Sequence, residues 1–342
     1  GIRDDLEGLV GSEMCIRDRV RRCLPVQLHV GHSWGGGLGR WMEDYIAADA
    51  DHNHLVLRSV GDLSAFGQKI VLYRSTDMAV PIRSWMLCEP VLSVSLASVE
   101  YRQILAELIA DYGVESLVIS SFIGHSLDLL RSPLPTTCVL HDFFPYCPAL
   151  YATYGSPCDS CTKSELRACA SDNPMNSFFK CETDAHWQAV RASFIERLMH
   201  DPVSVVAPSR SVVQRYGQLE PRLQSERLHV VAHGLEDKLA QSLAPLTDQP
   251  APPPDGRLRI VLVGRLTPEK GADLLAPILA DITSVAVVFL LGAGDSGAQF
   301  ASLPGVTVMA SYQKDELGQL LREINPHLGL LLSMVPETFS YT

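Results

Sequence analysis

The chain has 342 residues, of which 46% are hydrophobic and 20% are charged, and its formal net charge is −11. This length is enough for two domains of roughly 100 to 200 residues each, and the composition is typical of globular proteins with buried cores. The acidic balance argues against nucleic acid as a general partner, because no basic excess is available to neutralise a phosphate backbone.

The sequence also lacks the apolar segments that direct a chain into or across a membrane. No apolar run approaches the roughly 20 residues of a membrane span, and residues 1–22 carry charges throughout, without the apolar region of a signal peptide. We therefore expect a cytoplasmic protein. Its nine cysteines are then expected to be thiols or metal ligands and not disulfides.

Residues 1–19 differ from the rest of the chain, because they show neither a helical nor a strand period. The segment SEMCIRDR resembles the conceptual translation of sequencing-adapter read-through, so we expect residues 1–19 to be a non-native or disordered extension. A genuine flexible terminus is the alternative.

Strands and helices alternate in the predicted first domain, residues 20–240. This alternation implies a parallel sheet with helices on both faces, and the ligands of such sheets bind at the carboxyl ends of the strands. The predicted strands cover residues 25–30, 55–60, 70–73, 117–121, 137–140, 203–209 and 228–234, and the predicted helices begin at residues 41, 101, 127, 184 and 211.

Several residues of this domain lie where the predicted strands end. Residues 31–40 are rich in glycine, which lets a ligand approach the backbone and leaves amides free to donate. His141 directly follows strand 137–140, although a lone histidine is more often a hydrogen-bonded structural residue. His125 also lies just past a strand and is a second candidate for lining a cleft. Ser209 can cap the helix that begins after it.

A cysteine-rich insertion, residues 143–182, reads as a loop rich in Pro, Ser and Asp. Cys158 and Cys161 have the CxxC spacing that places two thiolates on one metal ion, and Cys147, Cys169 or Cys181 could complete a tetrahedral zinc site. Because no second CxxC pair is present, unligated thiols or another metal stay open as alternatives. A zinc ion here would be structural and would stabilise the insertion by linking its cysteines.

A proline-rich linker, residues 241–256, separates the first domain from a second one, residues 257–342. Its PAPPPD stretch predicts an extended, semi-rigid segment. Four strands are predicted in the second domain, where a complete domain of this kind has about six. They cover residues 259–263, 285–291, 306–309 and 328–332, and helices are predicted from residue 271 and over 315–324.

The stretch RLRIVLVGRLTPEKG, from residue 257, combines a buried strand with two cations. The strand ends at Gly264, Arg265 and Lys270 flank a Thr-Pro-Glu turn, and a helix starts at Gly271. A strand end, two cations and a helix N-terminus that converge on one point make a site for a diphosphate. An ordinary loop with two solvated cations is the alternative.

Together, VGRLTPEKG and the terminal PETFSYT resemble the C-terminal half of retaining GT-B glycosyltransferases, in particular family four. The resemblance implies that Arg265 and Lys270 hold the diphosphate of a nucleotide-sugar donor. It also implies that Glu337 opens a two-glutamate motif that binds the donor sugar and the ribose. The second glutamate is due three residues after Thr342, so we expect a C-terminally truncated chain with an incomplete second domain.

The same resemblance assigns roles to residues outside these two motifs. It implies that Gly36, Gly37 and Arg40 face donor and acceptor across an interdomain cleft and that His141 contacts the donor sugar. Further residues are implied to border that cleft or the nucleotide: Ser209, Gly234, Gly292 and Gly294.

The expected fold is therefore α/β, with two Rossmann-like domains in the GT-B arrangement. The expected activity is a hexosyltransferase-like transfer of a sugar from a nucleotide-diphosphate sugar to an acceptor hydroxyl, with retention and without a catalytic metal. The acceptor would be a glycan or a lipid-linked glycan of surface polysaccharide assembly, with peripheral membrane association at the inner face.

Two alternatives stay open at this point. One is a different enzyme on the same fold, such as a sugar-nucleotide epimerase or a phosphorylase. The other is a non-catalytic nucleotide-sugar-binding fragment, because a truncated chain is expected to be nearly inactive.

Overall fold

The computed structural model describes most of the chain. The predicted extension 1–19, residues 241–255 of the predicted linker and Cys181 lie outside the described residues. The described residues are 24–34, 36–61, 67–74, 80–176, 179, 182–223, 227–234 and 256–339. The chain divides into two compact units, Gly1–His233 and Gly234–Thr342, and each unit has its own sheet and core.

The first unit is built on an eight-stranded sheet. Its strand order is β12-β11-β8-β6-β1-β2-β3-β4, so the chain starts in the middle and builds outward in both directions. The strands of this sheet are β1 Val26–His32, β2 Asn53–Val60, β3 Lys69–Arg74, β4 Pro81–Met86, β6 Val114–Ile119, β8 Thr136–Val139, β11 Val203–Ala207 and β12 Leu228–Val230. Two short strand pairs lie outside the sheet. They are β5 Val94–Ser95 with β7 His125–Ser126, and β9 Thr153–Tyr154 with β10 Ser156–Pro157.

Six of the eight strands form a continuous parallel set, as the alternation predicts, but β3 is antiparallel to both of its neighbours, β2 and β4. The connection explains this difference. Only residues 61–68 separate β2 from β3, and a crossover between parallel strands needs about a dozen residues or more. β4 was not among the predicted strands, because its exposed residues leave little apolar pattern.

The sheet is buried on both faces. Adjacent residues of one strand enter different cores: Leu57 belongs to the larger core, whereas Val56 packs with Leu38 and Met42 of the first helix. Side chains alternate between the faces of a strand, so this division requires cover on each side. The double cover explains why adjacent residues of the central strand β1, such as Leu28 and His29, are both fully buried.

Helices of the first unit other than the first begin after residues whose side chains cap them. Ser98, Thr162 and Thr183 each accept a hydrogen bond from a backbone amide three residues later, which satisfies a donor that the helix itself cannot pair. The helices are α1 Gly37–Ala48, α2 Val99–Tyr112, α3 Lys163–Asp172, α4 Asp184–His200 and α5 Arg210–Leu219.

The cysteine-rich insertion is more regular than the sequence analysis expected. It contains α3, whose start is a capping box in which the Thr162 and Glu165 side chains and backbone amides pair reciprocally. The hairpin of β9 and β10 precedes this helix. Because α3 buries only Leu166 and Cys169, its apolar pattern is too sparse to predict a helix.

The second unit is a four-stranded, fully parallel sheet in the order β15-β14-β13-β16. It confirms the four predicted strands and, with the first unit, the α/β class with two Rossmann-like units. Its elements are β13 Leu258–Val263, α6 Ala272–Val285, β14 Ala286–Leu291, β15 Val306–Met309, α7 Leu317–Ile324 and β16 Leu328–Gly329.

None of the helices among the described residues is both long enough and apolar enough to cross a membrane.

The buried histidine of β1 should make folding pH-dependent. His29 is fully buried, its Nε2 lies 3.1 Å from His54 Nδ1, and burial followed by the charge of His54 lowers the pKa of His29 to about 3. Below pH 6.5, His29 therefore binds a proton in the unfolded chain but stays neutral in the folded chain. We expect this group to reduce the free energy of unfolding by about 1.4 kcal/mol per pH unit as the pH falls from 6.5 towards 4.

Urea denaturation at several pH values measures this loss. The His29→Gln variant should show a shallower fall of stability below pH 6.5, whereas His229→Gln, at an exposed histidine, should keep the wild-type slope. Equal slopes in all three proteins would contradict the assignment.

Candidate functional site

The loops at the carboxyl edge of the second sheet are joined by backbone hydrogen bonds. The Gly264 amide donates to the Leu291 carbonyl at 2.8 Å, and the Leu266 amide donates to Ala293 at 3.2 Å. The Ala293 amide in turn donates to Met309 at 3.1 Å. The loops after β13, β14 and β15 therefore form one connected surface.

Lys270 and Glu337 meet on this surface. Lys270 Nζ forms an ion pair with Glu337 Oε1, although the two residues are 67 positions apart in sequence. The Met334 amide also donates to the Glu269 carbonyl at 2.8 Å. The side chains stay accessible, with exposed fractions of 44% for Lys270 and 28% for Glu337. A ligand at this edge can therefore reach both charges.

Arg265 is exposed and lies beside the glycine loop after β14. A Cβ at Gly294 would lie 3.6 Å from Arg265 Cγ and 3.7 Å from its Nε. A Cβ at Gly292 would come within 2.8 Å of the Tyr312 ring, so glycine there permits close packing of that ring. The structure thus brings both predicted glycines to the edge that carries Arg265.

The amides before α6 are less available than the sequence analysis expected. The Lys270 and Ala272 amides both donate to the Thr267 carbonyl, and the Gly271 amide donates to Pro268. A short 3-10 turn over Pro268–Lys270 uses these donors. An anion here would consequently be held mainly by the cationic side chains of Arg265 and Lys270, with the α6 dipole as a weaker contribution.

At the carboxyl edge of the first sheet, His141 lies within a group of aromatic rings. The Trp41 ring lies 4.6 Å from it and the His233 ring 5.0 Å, centroid to centroid. Trp41 and His233 are also in contact, at 5.4 Å. Because these residues come from α1, the end of β8 and the end of β12, the group exists only in the folded sheet.

The histidines of this group are neutral at physiological pH. Burial, followed by the charges of His233 and His32, lowers the pKa of His141 to about 3. Burial also lowers the pKa of His233 and of His32 to about 4. Next to His141, burial raises the pKa of Asp142 to about 7. A neutral imidazole can donate one hydrogen bond and accept another, which suits contact with sugar hydroxyls.

Other predicted residues of the first unit also lie near this edge. Gly36 is the N-cap of α1, and Gly37 and Arg40 belong to its first turn, not to a loop. Ser209 caps α5, accepting from the Val212 amide at 3.4 Å, with Ser211 Oγ 2.7 Å away. Gly234 directly follows His233 and is the first residue of the second unit, and a Cβ at Gly234 would have no heavy atom within 4 Å.

His125 does not line an open surface. It is fully buried, its Nε2 lies 2.8 Å from the Gly31 carbonyl, and its Nδ1 lies 2.6 Å from the Tyr101 hydroxyl. Both ring nitrogens are therefore occupied inside the core. The expectation that His125 lines a cleft is wrong, because a position after a strand does not distinguish a buried turn from an exposed one.

The four cysteines predicted as zinc ligands lie around one cavity of the first unit. This cavity has a volume of about 330 Å³ and is lined by Cys147, Cys158, Cys161 and Cys169, all of which are free thiols. Within the described part of the chain, no three His, Cys, Asp or Glu side chains are already grouped as metal ligands. The cysteines thus share a cavity but not a coordination sphere.

The sequence motifs did not mark Trp41 and Tyr312 as parts of these edges, whereas His233 belongs to the HG pair of the family resemblance. Trp41 directly follows the predicted Arg40, so proximity in sequence was an available signal. The ring contacts of Trp41 and His233 depend on strand order, which a single sequence does not contain. Tyr312 carried no signal, because a lone tyrosine after a strand is common.

Comparison with known proteins identifies the fold. No protein-family model matches the chain, and no curated protein matches it in sequence. Anabaena HepE in complex with UDP has a similar structure, with a TM-score of 0.53 and 14% identity over 93% of this chain and 76% of that chain. The complex of HepE with UDP and glucose has a TM-score of 0.51 and 14% identity, over 93% of this chain and 77% of that chain. The complex with UDP-glucose has a TM-score of 0.50 and 15% identity, over 92% of this chain and 76% of that chain. At this identity the likeness shows the fold alone, and it confirms the predicted α/β class with two Rossmann-like, GT-B-type units.

Replacing the glycine between Lys270 and α6 should disturb the second unit. Gly271 has φ 86°, and a Cβ there would collide with the Leu332 carbonyl oxygen and Cβ. We expect Gly271→Ala to cost roughly 1–3 kcal/mol from the backbone conformation alone, with a further loss from the collision. Urea denaturation monitored by circular dichroism measures the change.

Gly329→Ala is the matched control, because Gly329 belongs to the same sheet and has no heavy atom within 4 Å of a Cβ position. It should change the free energy of unfolding by less than about 0.5 kcal/mol. Similar stabilities for the two variants would contradict the described packing.

Proposed function

We propose that this protein is a glycosyltransferase that moves a sugar from a nucleotide-diphosphate sugar to an acceptor hydroxyl. One observation carries the proposal. Residues that the sequence marks as donor-binding, Arg265, Lys270 and Glu337, lie on loops at one edge of the second sheet, and two of them are in direct contact. The edge is also where ligands of parallel sheets bind.

The charges on this edge suit the chemistry of the reaction. When the bond between the sugar and the diphosphate breaks, negative charge grows on the departing nucleoside diphosphate. Arg265 and Lys270 would stabilise this charge, and cations fixed before the reaction lower the barrier most. The acceptor oxygen forms the new bond to the sugar carbon as the bond from that carbon to the diphosphate breaks, and the departing diphosphate takes up the proton of the acceptor hydroxyl.

Glu337 has a second role in this proposal. Its carboxylate would accept hydrogen bonds from hydroxyls of the donor sugar and orient the sugar for transfer. We also propose that His141, neutral at physiological pH, hydrogen-bonds a hydroxyl of the donor sugar. We extend the proposal to transfer with retention of configuration, in which the acceptor attacks from the face that the diphosphate leaves.

The fold supports a uridine nucleotide as the first donor to test. Anabaena HepE, which shares this fold, was solved with UDP and with UDP-glucose. The acceptor in our proposal is a glycan or lipid-linked glycan of surface polysaccharide assembly, handled in the cytoplasm at the inner face of the membrane. Both of these acceptor features rest on the family resemblance of the two sequence motifs.

Donor binding tests the role of the two cations. Titration calorimetry with UDP-, GDP-, dTDP- and ADP-sugars should show binding of one nucleotide class. Arg265→Ala and Lys270→Ala should each weaken it by roughly 10- to 100-fold, because each removes a charge-assisted contact to the diphosphate.

Arg322→Ala is the control for a general loss of positive charge. Arg322 is exposed in the last turn of α7, which leads back to the amino end of β16. Its removal should leave donor affinity unchanged. Tight donor binding that survives the loss of both Arg265 and Lys270 would contradict the proposed diphosphate site.

A second variant separates donor binding from transfer. Glu337→Gln keeps the side-chain shape but removes the anionic partner of Lys270, so UDP should bind as tightly as before or more tightly. Transfer, measured as UDP released from the donor in the presence of acceptor, should fall by roughly tenfold or more.

Two results would change the assignment. UDP affinity that falls with the transfer rate in Glu337→Gln would mean that Glu337 supports the nucleotide and not the sugar. Donor binding by the wild-type protein without any glycosidic product from a panel of acceptors would favour a non-catalytic nucleotide-sugar-binding protein.

A further inference from the structure

Four thiols of the first unit surround one cavity although they are spread over 23 positions of the sequence, from Cys147 to Cys169. Cys147 and Cys169 are buried, whereas Cys158 and Cys161 are partly exposed. The cavity, of about 330 Å³, is large enough to admit an ion and leave room for side chains to rotate. Such a concentration of free thiols has no role in the proposed sugar transfer.

The two buried thiols lie on elements that hold them firmly. Cys169 belongs to α3, and its carbonyl accepts the Asn173 amide at 3.3 Å. The Cys147 amide donates to the Phe143 carbonyl at 2.7 Å. These two cysteines therefore form a fixed wall of the cavity.

The two partly exposed thiols lie on the short segment between β10 and α3. The Cys158 amide donates to the Ala152 carbonyl at 2.8 Å, which holds the start of this segment at the cavity. Two intervening residues separate Cys158 from Cys161, the spacing that lets both sulfurs of a CxxC turn reach one metal ion.

Nitrogen donors already point at two of the sulfurs. Asn173 Nδ2 lies 3.0 Å from Cys169 Sγ, and Arg191 Nη2 lies 3.2 Å from Cys161 Sγ. Arg191 is itself fixed, because its Nε donates to the Tyr146 carbonyl at 3.0 Å and its guanidinium stacks 4.2 Å from the Tyr146 ring. Donors of this kind orient and stabilise metal-bound thiolates.

From this arrangement we propose that the cavity is a structural site for one thiophilic divalent cation, zinc, with Cys147, Cys158, Cys161 and Cys169 as its ligands. Binding requires the sulfurs of Cys158 and Cys161 to turn towards the buried pair, since the four are not yet grouped as ligands. Each ligand loses its thiol proton to solvent as a Zn–S bond of about 2.3 Å forms. The metal would join the loop after β8 to α3.

Cobalt substitution tests the site without any enzymatic readout. The purified full chain, kept reduced, is titrated with Co²⁺ and then with Zn²⁺. One equivalent of Co²⁺ should produce the thiolate-to-cobalt charge-transfer absorption and the strong visible bands of a tetrahedral thiolate site, and Zn²⁺ should abolish both.

The double variant Cys158→Ser/Cys161→Ser should lose these bands, whereas Cys88→Ser, at an exposed thiol outside the cavity, should keep them. Absence of thiolate bands in the wild-type protein would overturn the proposal. So would bands that persist in the double variant, because another set of cysteines would then bind the metal.

Alkylation of the wild-type chain gives a test that does not depend on the folding of a variant. Without metal, Cys158 and Cys161 should react with iodoacetamide at rates near that of Cys88, and one equivalent of Zn²⁺ should slow them by roughly tenfold or more. Reaction of Cys88 should not change. Equal labelling of Cys158 and Cys161 with and without Zn²⁺ would overturn the proposal.

Discussion

Parallel strand pairing is the constraint on which both candidate edges depend. In the second unit, β13 pairs in parallel with β14 and with β16, so every loop that leaves a strand does so at the same edge. Arg265 lies just after one of these strands, and Glu337 lies eight residues after another. If one of these strands ran in the opposite direction, its following loop would leave from the opposite edge of the sheet and the two residues would be separated.

The ion pair of Lys270 and Glu337 lies at this edge and is weak. Both side chains are partly exposed, so the pair contributes at most about 1 kcal/mol to folding. Because this ion pair is weak, a ligand can displace Glu337 from Lys270 or bind Lys270 together with Glu337. A diphosphate carries more negative charge than one carboxylate and would also meet Arg265, so it can compete for Lys270 while Glu337 becomes available to the rest of the ligand.

The first unit places neutral histidines at its carboxyl edge. His141 and His233 are kept neutral by burial, so at physiological pH they act as hydrogen-bonding groups. The same effect keeps His29 neutral inside the sheet, where it pairs with His54 and supports the fold. Burial thus keeps all three histidines neutral although their roles differ. Their positions in the fold decide which of them can contact a ligand.

Signals within a few residues of the chain were enough to predict the local elements and the types of residue at the strand ends. Apolar runs predicted β13 and β14, Ser209 marked the start of a helix, and VGRLTPEKG marked Arg265 and Lys270. The folded chain determined the other features. In the folded chain β3 runs antiparallel to its neighbours, Lys270 pairs with Glu337, backbone hydrogen bonds use the amides before α6, His125 is buried, and four cysteines lie around one cavity. Each of these depends on strand order, burial or contacts between distant residues, and the free energies that fix them arise only when the whole sheet is assembled.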